Sequence, residues 1–273
     1  MKTNIFIIGF FVCNSLLCAN QITAQDLVQT VKAKDGFTCK IPADWKQIDT
    51  QALEGYTKEL AEKMPNAKLP LPSHGFEPDN IKSGVEYPNI LVLPTVMPKN
   101  VGGATIEDLK KLANKTKERL QKNIDSKLQD NSMNATANVK DVSYDENGQF
   151  VRIVTVGEVP DIGVIHSVSV LFGTTDGMLT FQFNSRESDY GQYADLFSKI
   201  ISTIQRPPII MVTRNSTEAN SSLTNRPTEA PFVNSKEEEE RKIDAIANWI
   251  GRIIIPAIII AIIAYYKLKK SKR

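Results

Sequence analysis

Four strand-like runs follow one another between residues 137 and 184 with turn residues between each pair, and few architectures accommodate that pattern. The runs cover about 137–144, 149–157, 164–173 and 178–184, separated by "DENG", "PDIG" and "TTDG". Those turns carry the Asp, Asn, Gly and Pro residues that tight connections favour. Strands joined this closely pair with their sequence neighbours, so the segment reads as an antiparallel meander. Along "VIHSVSVLF", Val164, His166, Val168, Val170 and Phe172 share one face. This alternation predicts that His166 packs in the core with its ring nitrogens satisfied.

Upstream, "GFTCKIP" alternates Phe37, Cys39 and Ile41 with polar residues and predicts a strand with Cys39 facing inward. Asp49 or Thr50 caps a short helix to about Lys63, with Leu53, Tyr56 and Leu60 on its apolar side. The next stretch, "MPNAKLPLPSHGFEPDNIKSG", holds four prolines and two glycines. It reads as a long surface loop and as a first candidate for a binding surface, beside the sheet edge. "PNILVLPTVM" predicts a strand. A long helix opens at Thr105 with Glu107 and Asp108 in its first turn, burying Ile106, Leu109, Ala113, Thr116, Leu120 and Ile124. Lys110, Lys111, Lys115 and Lys122 lie mostly off that stripe and read as a solvated face. A last helix runs from about Ser188 to Ile204, burying Tyr190, Tyr193, Phe197, Ile200, Ile201 and Ile204, and Pro207 and Pro208 forbid its continuation.

The two ends carry targeting chemistry. Residues 1–24 have the basic start, apolar run and small residues of a secretory signal peptide, which leaves 25–205 as an exported domain. Residues 206–244 combine a stalk rich in Ser, Thr, Asn, Glu and Pro with the acidic juxtamembrane "KEEEERK", expected to be a solvated helix. Residues 245–266 read as one transmembrane helix. Trp249 at one end and Tyr265 and Tyr266 at the other form interfacial belts, Arg252 snorkels outward, and Pro256 is tolerated in lipid. Lys267, Lys269, Lys270, Lys272 and Arg273 make a basic cytoplasmic tail over residues 267–273 that can also touch anionic lipid. The expected location is therefore the cytoplasmic (inner) membrane, single-pass, with the amino-terminal domain outside the cytoplasm, in the periplasm of a Gram-negative cell.

Charge and cysteine content exclude several functions. Residues 25–205 hold 20 basic and 24 acidic residues, so the exported domain has no electrostatic footprint for nucleic acid. Cys39 is the single cysteine left after signal removal, so no internal disulfide forms, and with no basic neighbour on its face it reads as an inert buried thiol. Two distant histidines, His74 and His166, make no zinc motif. There is no phosphate-binding glycine loop and no nucleophile elbow. The sequence thus nominates no catalytic residue, no metal ligand and no cofactor.

The order of strand, "IPADW", strand, long helix, meander and aromatic terminal helix resembles the PsbP/DcrB-like superfamily, which also includes a yeast Ran-binding import factor. The residues that carry the resemblance are "DGFTCKIPADWKQI" and "GMLTFQFNSRESDYGQYADLFSKIISTI", within a span of about 35–205. It implies an α+β fold, an α/β/α sandwich with a mainly antiparallel sheet flanked by helices, in proteins that mostly bind or support an assembly. It transfers no catalytic residues. The function expected is a non-enzymatic, membrane-anchored envelope module that binds a protein or envelope component. The alternative is a hydrolase built on carboxylates or His166.

Overall fold

The computed structural model describes residues 27–32, 36–63, 71–81, 85–97, 104–115, 117–130, 136–159, 163–206, 237 and 240–247. The strands are β1 (Leu27–Lys32), β2 (Thr38–Pro42), β3 (Trp45–Gln47), β4 (His74–Pro78), β5 (Asn89–Val96), β6 (Thr136–Asp145), β7 (Phe150–Val159), β8 (Gly163–Gly173) and β9 (Gly177–Arg186). The helices are α1 (Thr50–Lys63), α2 (Ile106–Lys115), α3 (Lys117–Asp130) and α4 (Glu187–Ser202). A further helical segment covers 240–247.

Seven strands form one sheet in the order β3-β4-β5-β9-β8-β7-β6, and every neighbouring pair is antiparallel. The chain climbs to β5 at the middle of the sheet, crosses through α2 and α3 to the far edge at β6, and returns by the meander until β9 lies beside β5. The expected meander is thus present, each strand within two residues of its sequence-derived limits. The β1–β2 hairpin forms a separate two-stranded sheet. The result is α+β, a mainly antiparallel sheet flanked by helices.

Both faces of the sheet are covered at its centre. On one side, Phe37, Cys39, Ile41, Trp45, Phe76, Phe172, Phe181, Phe183, Phe197 and Ile200 form an aromatic layer beneath β1–β2 and α4. On the other, Leu53 and Tyr56 of α1, Leu109 and Leu112 of α2, and Leu120 and Ile124 of α3 pack over Leu91, Leu93, Val151, Ile153 and Leu171. Gly177 lies where the β8–β9 hairpin meets β5, and a Cβ there would fall 1.9 Å from the Thr95 carbonyl oxygen. Only a residue without a side chain permits that approach.

Several expectations need correction. The proline-rich stretch is not all loop, because His74–Pro78 is strand β4 and is nearly all buried. Its prolines fall outside the interior of the strand, so Gly75 and Phe76 keep their backbone groups for β5 and for the Ile48 N–H. Strand β1 was not expected at all; it is mostly exposed, and the adjacent polar pair Gln29 and Thr30 breaks the alternation. The long helix is described as α2 and α3, and its buried set includes Leu112 (0 % exposed), which the proposed stripe omits. Thr116 and the side chain of Leu60 lie outside the described residues.

The acidic segment is helical where described, but it is not solvated all round. Ile243, Ile246 and Ala247 are buried against the α1–α3 side of the domain, at the one-face spacing of a helix. No helix among the described residues is long and apolar enough to cross a membrane. The signal peptide, Trp249, Arg252, Pro256, Tyr265, Tyr266 and the basic tail Lys267, Lys269, Lys270, Lys272 and Arg273 lie outside the described residues.

Candidate functional site

A cleft of about 550 Å³ opens between the β6–β7 hairpin and the last turns of α4. It exists because α4 packs on β8, β9 and β2 and leaves the same face of β6 and β7 uncovered. Tyr144, Asp145, Asn147, Phe150 and Arg152 line one wall, and Ser198, Ile201, Ser202 and Ile204 the other. Gln149 closes the hairpin with φ of 53°, and Arg206 ties the end of the domain to it, donating to the Gln149 side chain at 3.0 Å and to the Gly173 carbonyl at 3.2 Å. Arg152 faces Asp141 at 3.7 Å, too loosely and too exposed to be a fixed pair. The walls therefore offer apolar surface with adaptable polar groups around it, the composition of a binding surface.

The other surfaces expected to bind are less open. At the β6 edge, Gln121 of α3 accepts from the Val139 N–H at 2.8 Å and donates to the Ala137 carbonyl at 2.6 Å, occupying the groups an added strand would use. A bulge between Val139 and Asp141 disturbs the same edge. At the opposite edge β3 is three residues long, and Gln29 donates to the Ala43 and Trp45 carbonyls.

A second feature is a polar row under the α1–α3 layer. Cross-strand partners point to the same face, and the register places Lys46 opposite Glu77, Asn89 opposite Asn184, Asn184 opposite Ser167 and Ser167 opposite Thr155. Phe76 opposite Ile90 brings Glu77 next to Asn89, so the row crosses six strands. Ser169 and Gln182 are paired one step along. Asn184 donates to Asn89 at 2.8 Å, and Asn89 donates to the Glu86 carbonyl at 2.8 Å. Asn184 Oδ1, Ser167 Oγ, Ser169 Oγ and Glu77 Oε2 are buried and meet no hydrogen-bond partner among the described residues. Burial pushes the Glu77 carboxyl up to about 7, against the opposing pull of Lys46 at 3.7 Å and of the Glu86 backbone N–H.

His166 sits at the rim rather than inside the core. Its Nε2 meets the Glu187 carboxylate and its ring stacks on Tyr190, with centroids 4.1 Å apart. Both partners come from the first turn of α4, which caps that end of the strand. Ser185 is opposite His166 across β8 and β9, but its buried Oγ makes no hydrogen bond to His166 or to any other described residue, so the three side chains are not linked as a serine–histidine–glutamate relay. His74 Nδ1 is 3.1 Å from Ser73 Oγ. Cys39 is buried among aromatic residues, and burial pushes its thiol up to about 11, as the inert reading requires. No cluster of metal-ligating side chains is found among the described residues.

Lys110 is drawn to the Glu146 carboxylate at 2.9 Å and lies over the Tyr144 ring, and Lys111 faces Glu107, so these two lysines belong to local pairs on the solvated side of α2.

No family model matches the chain, and no curated protein matches it. Several solved structures are similar, two of which follow. One is the solution structure of cyanobacterial PsbP (CyanoP) from Synechocystis sp. PCC 6803, with 16% identity and a TM-score of 0.44, covering 66% of this chain and 92% of that one. The other is a crystal structure from Bacteroides thetaiotaomicron VPI-5482, with 11% identity and a TM-score of 0.35, covering 67% of this chain and 49% of that one.

Proposed function

We propose that the chain is a non-enzymatic binding module of the cell envelope, exported and held at the cytoplasmic membrane by its carboxyl-terminal helix, which takes its partner in the cleft between the β6–β7 hairpin and α4. The observation that carries this reading is the cleft itself, an open volume of about 550 Å³ with Phe150, Ile201 and Ile204 flanked by serine, asparagine and arginine side chains. Mixed walls of this kind hold a protein segment or a polar envelope component through shape and adaptable hydrogen bonds. Of the hydrolase alternative, His166 is held by Glu187 and Tyr190 at the rim and is not among the residues that line the cleft.

The test is photo-crosslinking in intact membranes from Asn147 and Ser202 in the cleft and from Glu118 on α3 as the control. A recurring adduct from the two cleft positions, lost in Ile201→Asp and absent from Glu118, is the expected result. Equal adducts at all three positions, or a cleft adduct that survives Ile201→Asp, would overturn the assignment.

A further inference from the structure

The helical segment 240–247 is seated on the domain by three independent contacts. Ile243, Ile246 and Ala247 bury one stripe against the core that includes Leu109, Leu112, Leu120 and Ile124. Lys242 Nζ lies 2.7 Å from Asp108 Oδ2, and the Arg119 guanidinium meets the Asp244 carboxylate. Asp108 is also the reciprocal partner of Thr105, the residue that caps α2: its Oδ2 accepts from the Thr105 N–H at 2.9 Å and from Thr105 Oγ1 at 2.7 Å, while Thr105 Oγ1 accepts from the Asp108 N–H. One carboxylate oxygen therefore joins the start of α2 to the carboxyl-terminal segment. Burial alone raises the Asp108 carboxyl, but the hydrogen bonds from Lys242 and Thr105 outweigh it and hold the group below its ordinary value.

The position of this seat in the sequence gives it its consequence. The apolar run read as the membrane helix, 245–266, begins within this seat, and its interfacial Trp249 comes two residues after Ala247. A helix rises about 1.5 Å per residue, so a docked Ala247 leaves only a few ångströms between the α2–α3 surface and the start of the anchor. We infer that the domain does not swing on its tether but sits on its own anchor, with α2 and α3 toward the bilayer and the cleft, on the other side of the sheet, turned away from it. The occupant of the α2–α3 surface is segment 240–247 of the same chain, and the partner of the cleft is one that approaches from the envelope side, not one embedded beside the anchor. This orientation rests on the membrane-anchor reading; the docking itself does not.

Two measurements on the full chain separate those claims. The first is backbone hydrogen exchange over 243–247. Docking predicts exchange at least tenfold slower than in Ile243→Asp/Ile246→Asp, protection lost in Asp244→Arg, and protection regained in Arg119→Asp/Asp244→Arg. Exchange that is equally fast in the unmodified chain and in the double aspartate variant overturns the docking. The second uses vesicles of phosphatidylethanolamine and phosphatidylglycerol with a headgroup energy-transfer acceptor, and donors placed singly at Glu118→Cys and Asn147→Cys. The buried Cys39 thiol stays unlabelled in the folded domain. Severalfold stronger transfer from position 118 than from position 147, reduced to parity by the double aspartate variant, is expected. Parity in the vesicle-bound unmodified chain overturns the orientation. A chain that does not float with the vesicles overturns the anchor reading and the orientation with it, while hydrogen exchange still decides the docking.

Discussion

Glu77→Gln removes a charge from a buried position without changing the shape of the side chain, and the gain it brings should depend on pH in a defined way. The folded carboxyl titrates near 7 against an ordinary 4.5, because burial penalises its ionised form more than Lys46 and the Glu86 N–H favour it. Below about pH 4.5 the group is protonated in both folded and unfolded chains and adds nothing to the pH dependence. Between 4.5 and 7 the unfolded chain releases its proton while the folded chain retains it, so stability falls as pH rises; above 7 the loss is complete. At about 1.36 kcal/mol per pKa unit, the full displacement corresponds to roughly 3 kcal/mol. That displacement is already net of the Lys46 attraction, which pulls the carboxyl down against its burial. Urea unfolding of the unmodified chain and the Gln variant from pH 4.5 to 8 should therefore give curves that nearly meet at the acid end. They should separate, with Gln the more stable, by about 2 to 3 kcal/mol at pH 8. A difference that is independent of pH, or a Gln variant that is the less stable at pH 8, would refute the argument.

Phe197→Ala should lower stability by about 3 to 5 kcal/mol, since Phe197 packs on Phe183, Tyr193 and Trp45 with ring centroids 5.4 to 6.5 Å away; calorimetry checks it, and unchanged melting would remove α4 from the core. His166→Gln should cost only about 1 kcal/mol through its lost stacking on Tyr190, and any activity later found should survive it. Cys39, with a thiol pushed up to about 11, should resist alkylation at pH 8 in the folded chain and react at once in denaturant; prompt native labelling would contradict its burial.

The meander, β2, α1, β5 and α4 were legible because each has a clean period and a turn or cap at its limits: Phe37, Cys39 and Ile41 alternate into β2, and Phe197 and Ile200 recur on one face of α4. Strand β4 was not legible, because "SHGFEPD" is too short for alternation to outweigh its prolines and glycine. The seat of Ile243, Ile246 and Ala247 escaped for a different reason. Those residues lie between an acidic run and an isoleucine-rich run, and each run is read for its own property, solvation or lipid affinity; the ion pairs to Asp108 and Arg119 depend on tertiary placement that no local window contains. The cleft, likewise, follows from where α4 stops covering β7 and β6. The polar row was visible as alternation in "HSVSV" and "LTFQFN", but such alternation normally means one solvated face. Here the second face is covered as well, which the strands alone do not announce.

That double coverage bears on how β9 finds its place. In a sheet buried on one side, a strand displaced by one residue exposes its apolar set to water, and the penalty fixes the pairing. With both sides of β9 covered, solvent cannot make that choice. The contrast between its own faces makes it instead: Leu179, Phe181 and Phe183 belong to the aromatic layer, while Thr180, Gln182 and Asn184 lie beneath the opposite helices. A single-residue slip would press two amides and a hydroxyl into the rings of Phe37, Phe172 and Phe197, where each unmet polar group costs about 1 to 3 kcal/mol, and would strand the phenylalanines beside Asn89 and Ser167. The polar row thereby acts as a key that admits β9 between β5 and β8 in one alignment.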